Sequence, residues 1–197
     1  MVGKLIIIEG VDGSGKSTLI EGLRREGVYD YLFNYSYPHE AEKFQSGAFA
    51  KGEYFGSIKI FKQLLIQGKV VVCDRFHLGE YAYGPVMRGY PYWFAKDIMD
   101  EAEKELVKEI GLENVYLVIL FTNPITAFAR KKGSENEYLK YEGEYYAINE
   151  RYRLAFFDSA LKQKYSFNTC SLKYNGNPEL VLKELLEWMF DGTVQGK

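Results

Sequence analysis

The chain alternates short, uniformly apolar runs with longer amphipathic stretches. Lys4–Glu9 (KLIIIE), Val70–Cys73 and Val115–Phe121 are continuous apolar runs of strand length. A run apolar at every position reads as a strand buried on both faces, the signature of a parallel sheet. Tyr31–Ser36 is a weaker strand stopped by Pro38, and Leu172–Tyr174 reads as a short last strand. Between them the period lengthens. Lys16–Glu26 follows the first strand as a helix. Glu53–Gln67 is helical, with Phe55, Ile58, Phe61, Leu65 and Ile66 on one side. In Tyr92–Ile110 the residues Phe94, Ile98, Ala102, Leu106 and Ile110 recur every four positions, and Gly111 ends the helix. Residues 125–165 read as helical and heavily charged. Pro178–Phe190 closes the chain, with Leu182, Leu185, Leu186 and Met189 inward. No linker or repeat divides the 197 residues. The pattern predicts one α/β domain, a five-stranded parallel sheet with helices on both faces. Ligands of such sheets bind at the carboxyl ends of the strands.

Composition narrows the function. Apolar residues make up 47% of the chain, enough for a proper core, and the net charge of −2 disfavours a nucleic-acid partner. No apolar run approaches membrane-spanning length and the N-terminus has no signal-peptide pattern, so no membrane role and a cytoplasmic location are expected. Cys73 and Cys170 have no metal-ligand spacing and read as buried free thiols. Most of the 17 tyrosines read as amphipathic filler around the core.

Gly10-Val11-Asp12-Gly13-Ser14-Gly15-Lys16-Ser17 matches G-x-x-x-x-G-K-[ST], after a buried strand and before a helix. Glycines there let successive N–H groups turn inward, and the helix N-terminus adds a positive dipole end. Gly10, Gly13, Ser14, Gly15, Lys16, Ser17 and Thr18 are therefore the predicted nucleotide-phosphate cradle. Lys16 is assigned to the β- and γ-phosphates and Ser17 to Mg²⁺. The strand Val70–Cys73 ends in Asp74-Arg75. Asp74 is a candidate for holding Mg²⁺ through water, or for orienting Arg75, whose planar fork suits a phosphate.

The phrases IIIEGVDGSGKST and VVVCDR together resemble the thymidylate kinase group of P-loop nucleoside monophosphate kinases. That resemblance spans most of the chain. It implies a three-layer P-loop NTPase fold with strand order 2-3-1-4-5, and a commonly dimeric protein. It also implies phosphoryl transfer from ATP, with Mg²⁺, to a deoxynucleoside monophosphate, dTMP first and dGMP or a broader range next. Asp12 matches the family's acidic residue inside the P-loop, near the acceptor sugar and phosphate. Arg75 matches the arginine on the acceptor phosphate. Tyr83 matches a tyrosine that blocks a ribose 2′-hydroxyl. Positions 11–14 carry no base, so the catalytic arginine is expected from a lid at about 130–145. Arg130, with Lys131, Lys132, Gly133 and Ser134, is its first candidate; Arg151 and Arg153 follow.

The sequence also departs from the family. The usual Phe-Pro-x-Arg is Tyr37-Pro38-His39-Glu40, and residues 53–67 hold no arginine. Where the family reads thymine with small hydroxyl and amide side chains stand Gly79, Glu80 and Tyr81. Residues 83–89 are closer to divergent phage deoxynucleotide kinases. Glu80 either accepts from guanine N1–H and N2–H₂ or pairs with Arg75 or Arg88, and Arg88 is a candidate replacement for the missing acceptor-phosphate arginine. Two rival functions follow. A deoxynucleoside kinase needs a carboxylate base for the 5′-hydroxyl, and only Glu40 is close. A nucleotide-dependent switch or regulatory ATPase is the other; for a GTP switch an NKxD guanine reader is missing.

Overall fold

The computed structural model describes residues 3–35, 47–89, 91–132, 139–171, 173–174 and 176–191. Five strands form one parallel sheet: β1 (Lys4–Glu9), β2 (Tyr31–Asn34), β3 (Val70–Asp74), β4 (Val115–Phe121) and β5 (Gln163–Asn168). Their spatial order is β2-β3-β1-β4-β5. The helices are α1 (Lys16–Arg25), α2 (Gly47–Ile66), α3 (His77–Tyr83), α4 (Tyr92–Glu109), α5 (Pro124–Lys131), α6 (Glu142–Asp158) and α7 (Pro178–Leu186). A π-helical turn, Gly84–Arg88, continues α3.

Because strand side chains alternate between faces, the apolar run of β1 feeds two cores. Leu5 and Ile7 pack with Val71, Cys73, Leu117 and Ile119 under α2, α3, α4 and α6. Ile6 and Ile8 pack with Val72, Val118 and Leu120 under α1 and α7. Helices thus cover both faces, giving the three-layer P-loop architecture. In register, Ile8 lies opposite Asp74, Asn34 opposite Asp74, and Glu9 opposite Ile119. The carboxyl ends of β1, β2 and β3 therefore meet at one edge of the sheet.

Several sequence expectations are corrected. The last strand is Gln163–Asn168; Lys173 and Tyr174 lie in a turn. This edge strand buries only Phe167 fully, so its polar residues hide it in the sequence. Residues 125–165 are accordingly not one helical stretch but α5, α6 and β5. The helix α2 starts at Gly47, not Glu53. Its glycines, weak helix formers, mask a start that burial of Ala50 and Tyr54 supports. Ile66 is 66% exposed rather than inward. Cys73 is buried, but Cys170 is exposed in the loop after β5. No described helix is long and apolar enough to cross a membrane.

Candidate active site

A cleft of about 680 Å³ runs along the carboxyl ends of the strands. The loop between β1 and α1 forms its floor. Gly10 and Gly13 have φ of +144° and +77°, conformations open to glycine. A Cβ on Gly13 would stand 2.6 Å from the Ala127 carbonyl oxygen of α5, so that position excludes a side chain twice over. Gly15, also at positive φ, faces open space as the N-cap of α1. Ser17 and Thr18 are exposed along the cleft. Ser14 Oγ is buried with no partner among the described residues.

Lys16 is folded back onto its own loop, donating to the carbonyl oxygens of Gly10 (2.9 Å) and Val11 (3.2 Å). Burial and the nearby Arg75 charge push its amine down to about 8, against the pull of Asp12, Asp74 and Glu9. A phosphate would supply the negative charge this buried amine lacks.

Across the cleft, Arg75 leaves β3 with φ +65°, the one non-glycine residue at positive φ among those described. A left-handed residue of this kind costs about 1–2 kcal/mol. Its N–H still bonds the Ile8 carbonyl at 2.9 Å, so the turn is tied to β1. Its guanidinium donates through Nη2 to Asp12 Oδ1 (2.5 Å) and to the Tyr83 hydroxyl (3.1 Å). The same hydroxyl accepts from the Asp12 N–H at 3.1 Å. Burial raises the Asp12 carboxyl, but Arg75, Lys16 and Lys131 outweigh it and leave it below the usual value. Asp12, Arg75 and Tyr83, separated by 71 positions at most, are thus one hydrogen-bonded group.

Glu80 lies one turn before Tyr83 on α3, and its Oε1 accepts from Arg88 Nη1 at 2.6 Å. The carboxyl is held up by burial and drawn down by Arg88, with a net rise. Asp74 lines the cleft, and its Oδ1 is buried without a partner among the described residues. Arg130, in the last turn of α5, donates to the Gly13 carbonyl at 3.0 Å and lines the cleft beside Lys131. Arg151 instead stacks over the Tyr92 ring at 4.6 Å, and Arg153 lies 3.5 Å from Glu150 on the outside of α6. Residues 133–138 of the anticipated lid and Tyr37-Pro38-His39-Glu40 lie outside the described residues.

Sequence reasoning missed Glu9. Its carboxylate is fully buried and accepts from the N–H groups of Phe76 (2.8 Å) and Gly79 (3.2 Å) and from the Tyr152 hydroxyl (3.0 Å). It fastens the start of α3 to the end of β1, which fixes where Arg75 and Glu80 stand. A charge ending a buried apolar strand was the available signal. Tyr35, Tyr54 and Phe76, which also line the cleft, were missed because nothing local separates a lining ring from a core ring.

No family model matches the chain. It is 29% identical over 188 residues to a thymidylate kinase of Carboxydothermus hydrogenoformans, covering 84% of this chain and 88% of that one. To a thymidylate kinase of Coprothermobacter proteolyticus it is 24% identical over 200 residues, covering 92% and 96%. In fold it is similar to the YorR protein of Bacillus subtilis, solved in complex with phosphorylated GDP. The TM-score is 0.70 at 20% identity, over 98% of this chain and 100% of that one. Likeness that runs nearly end to end, around an intact phosphate loop, marks this chain as a nucleotide kinase, a phosphotransferase, similar to the thymidylate kinases.

Proposed function

We propose that the protein transfers the γ-phosphoryl group of ATP to a deoxynucleoside 5′-monophosphate, giving the diphosphate. The observation that carries this reading is the pairing of two separate phosphate-binding devices in one cleft. The loop with Lys16 suits the triphosphate of a donor. Arg75, held beside it by Asp12 and Tyr83, suits a second phosphate arriving from the other side.

In this reading Lys16 exchanges its bonds to the Gly10 and Val11 carbonyls for β- and γ-phosphate oxygens. Arg75 exchanges Asp12 for the acceptor phosphate, and Asp12 is released toward the acceptor sugar. Arg130 turns from the Gly13 carbonyl, a P-loop group, to the transferring phosphoryl. The acceptor phosphate is itself the nucleophile, so the chain needs no strong base; positioning and charge neutralisation supply the rate. Ser17 and Asp74 are the residues that would hold Mg²⁺. The buried Asp74 oxygen, without a partner among the described residues, and a hard-oxygen donor set fit that ion. When bound, Mg²⁺ neutralises charge on the β- and γ-oxygens. Tyr83, fixed by Asp12 and Arg75, would occupy the space of a ribose 2′-hydroxyl.

The names of the relatives make dTMP one acceptor to assay; dGMP is another. Purified protein with Mg²⁺ and ATP, offered dTMP, dGMP and thymidine in parallel, should form diphosphates from a monophosphate and nothing from thymidine. Phosphorylation of thymidine alone would make it a nucleoside kinase. Tight ATP binding with no transfer to any monophosphate would favour a regulatory ATPase.

A further inference from the structure

A second charged pair lies in the same cleft, apart from the phosphate-binding groups. Arg88 and Glu80, joined at 2.6 Å, are 13% and 3% exposed. Tyr35, Tyr54 and Phe76 line the cleft with them and touch one another edge-on or tilted, at 4.9 to 6.4 Å between centroids. The charges of Glu80 and Arg88 both act on the buried Tyr54 hydroxyl. Glu80 sits in α3, whose start Glu9 fastens to the sheet, so the carboxylate is held on rigid backbone. The π-helical turn Gly84–Arg88 brings the arginine back to it. Single π-helical turns are frequent at functional sites. As a source of stability the pair is a poor device, because desolvating two charges offsets most of their attraction. Recognition explains it better.

We propose that the Glu80–Arg88 pair reads the base of the acceptor and selects guanine. This deepens, and rests on, the reading of the cleft as a deoxynucleoside monophosphate site. A carboxylate joined side by side to a guanidinium presents acceptors next to donors. A guanidinium carries five N–H donors in a plane, more than its bond to Glu80 uses. Around guanine the exposed groups run N2–H₂, N1–H, O6, N7: two donors, then two acceptors. The carboxylate matches the first two and the guanidinium the last two, the latter being a recurrent arginine–guanine pairing. Thymine alternates, with O2, N3–H and O4, and adenine alternates with N1, N6–H₂ and N7. Either sets one charged group against a group of its own kind. Cytosine, with O2, N3 and N4–H₂, matches with one partner fewer. The three rings offer a wall against which a flat base packs. A site built to bond particular polar atoms rejects ligands that lack them, because its own buried groups are then left unpaired.

The test compares dGMP, dTMP, dCMP and dAMP as acceptors for the full chain with Mg²⁺ and ATP, and measures binding of each by calorimetry. The expected result is a kcat/KM for dGMP at least tenfold above every other base. Deoxyinosine monophosphate, lacking the 2-amino group, and 7-deaza-dGMP, lacking N7, should each lose about tenfold. Glu80→Gln should lower kcat/KM for dGMP by tenfold or more with ATP affinity unchanged and the fold intact by circular dichroism. Should that variant not fold, the two analogues on the unaltered enzyme decide. Equal or better use of dTMP, dCMP or dAMP overturns the guanine assignment and leaves the kinase reading standing. Tightest binding of dGMP without transfer supports the assignment and removes the kinase reading; binding of no monophosphate removes both.

Discussion

Nη2 of Arg75 lies 2.5 Å from Oδ1 of Asp12, so the arginine after β3 and the carboxylate inside the phosphate loop hold each other before any substrate arrives. They approach because Ile8 and Asp74 are in register on adjacent strands and Arg75 then turns left-handed. In the proposed reading an acceptor phosphate takes the place of Asp12 on that guanidinium, which makes Arg75 pre-aimed rather than recruited.

Arg75→Ala should therefore lower kcat/KM for the monophosphate by about 10²–10³, the usual cost of losing a charged donor at a reacting centre. ATP affinity should stay within a few-fold of the parent. Two-substrate kinetics would measure both, and equal losses for donor and acceptor would contradict the assignment of Arg75 to the acceptor.

Lys16 makes nucleotide affinity depend on pH. Burial and Arg75 lower its amine to about 8. A bound triphosphate favours the charged amine and raises that value again. ATP affinity should be full below pH 8 and fall as pH rises through 8, with a proton taken up on binding near pH 8.5. Calorimetry in two buffers of different ionisation enthalpy would detect that proton; affinity flat from pH 7 to 9.5 would refute it. The unliganded protein has the complementary behaviour. Its folded lysine value lies below the ordinary 10.5, so the cost of burying the charge is fully present below pH 8 and is relieved as pH rises from 8 toward 10.5.

Arg130→Ala should reduce kcat by about 10²–10³ while ATP still binds, since arginine at the transferring phosphoryl stabilises developing charge. Rapid-quench turnover and equilibrium nucleotide binding separate the two effects. Undiminished turnover would pass the role to Arg151 or Arg153, which the fold sets against Tyr92 and Glu150.

Glu103 should act on stability rather than chemistry. It accepts from Ser159 Oγ and the Ala160 N–H, both at 2.6 Å, and faces His77 Nε2 at 3.1 Å, tying α3 and α4 to the segment after α6. Glu103→Ala should cost about 3 kcal/mol, as for other buried partners left without their mate, and a thermal melt would show it. Burial raises the Glu103 carboxyl, but His77, Ser159 and the Ala160 N–H together leave it below 4.5. The stability it contributes is thus present above that value and lost as pH falls through the lower folded value. Glu103→Gln should lose less stability on acidification than the parent.

Legibility in the sequence followed burial. β1, β3 and β4 are apolar at nearly every position because both of their faces are covered, and they are readable without context. β5 sits at the sheet edge with one fully buried side chain, Phe167, and carries no such signal. In α3 every residue is buried, which erases the helical period, so a seven-residue helix passed unread although it bears Glu80 and Tyr83.

The sequence by itself determined the phosphate loop, since glycine spacing, a lysine and a serine are local requirements of one turn between a strand and a helix. It also determined the layered α/β class, through apolar runs too short for anything but buried strands. Only the tertiary structure decided which charge meets which: Arg75 with Asp12, Arg88 with Glu80, Arg130 with the loop carbonyl of Gly13. Two of these partnerships join residues 63 and 117 positions apart, and the third depends on a widened helical turn. Crossover connections and strand register create such neighbours, and neither leaves a local mark on the residues it brings together.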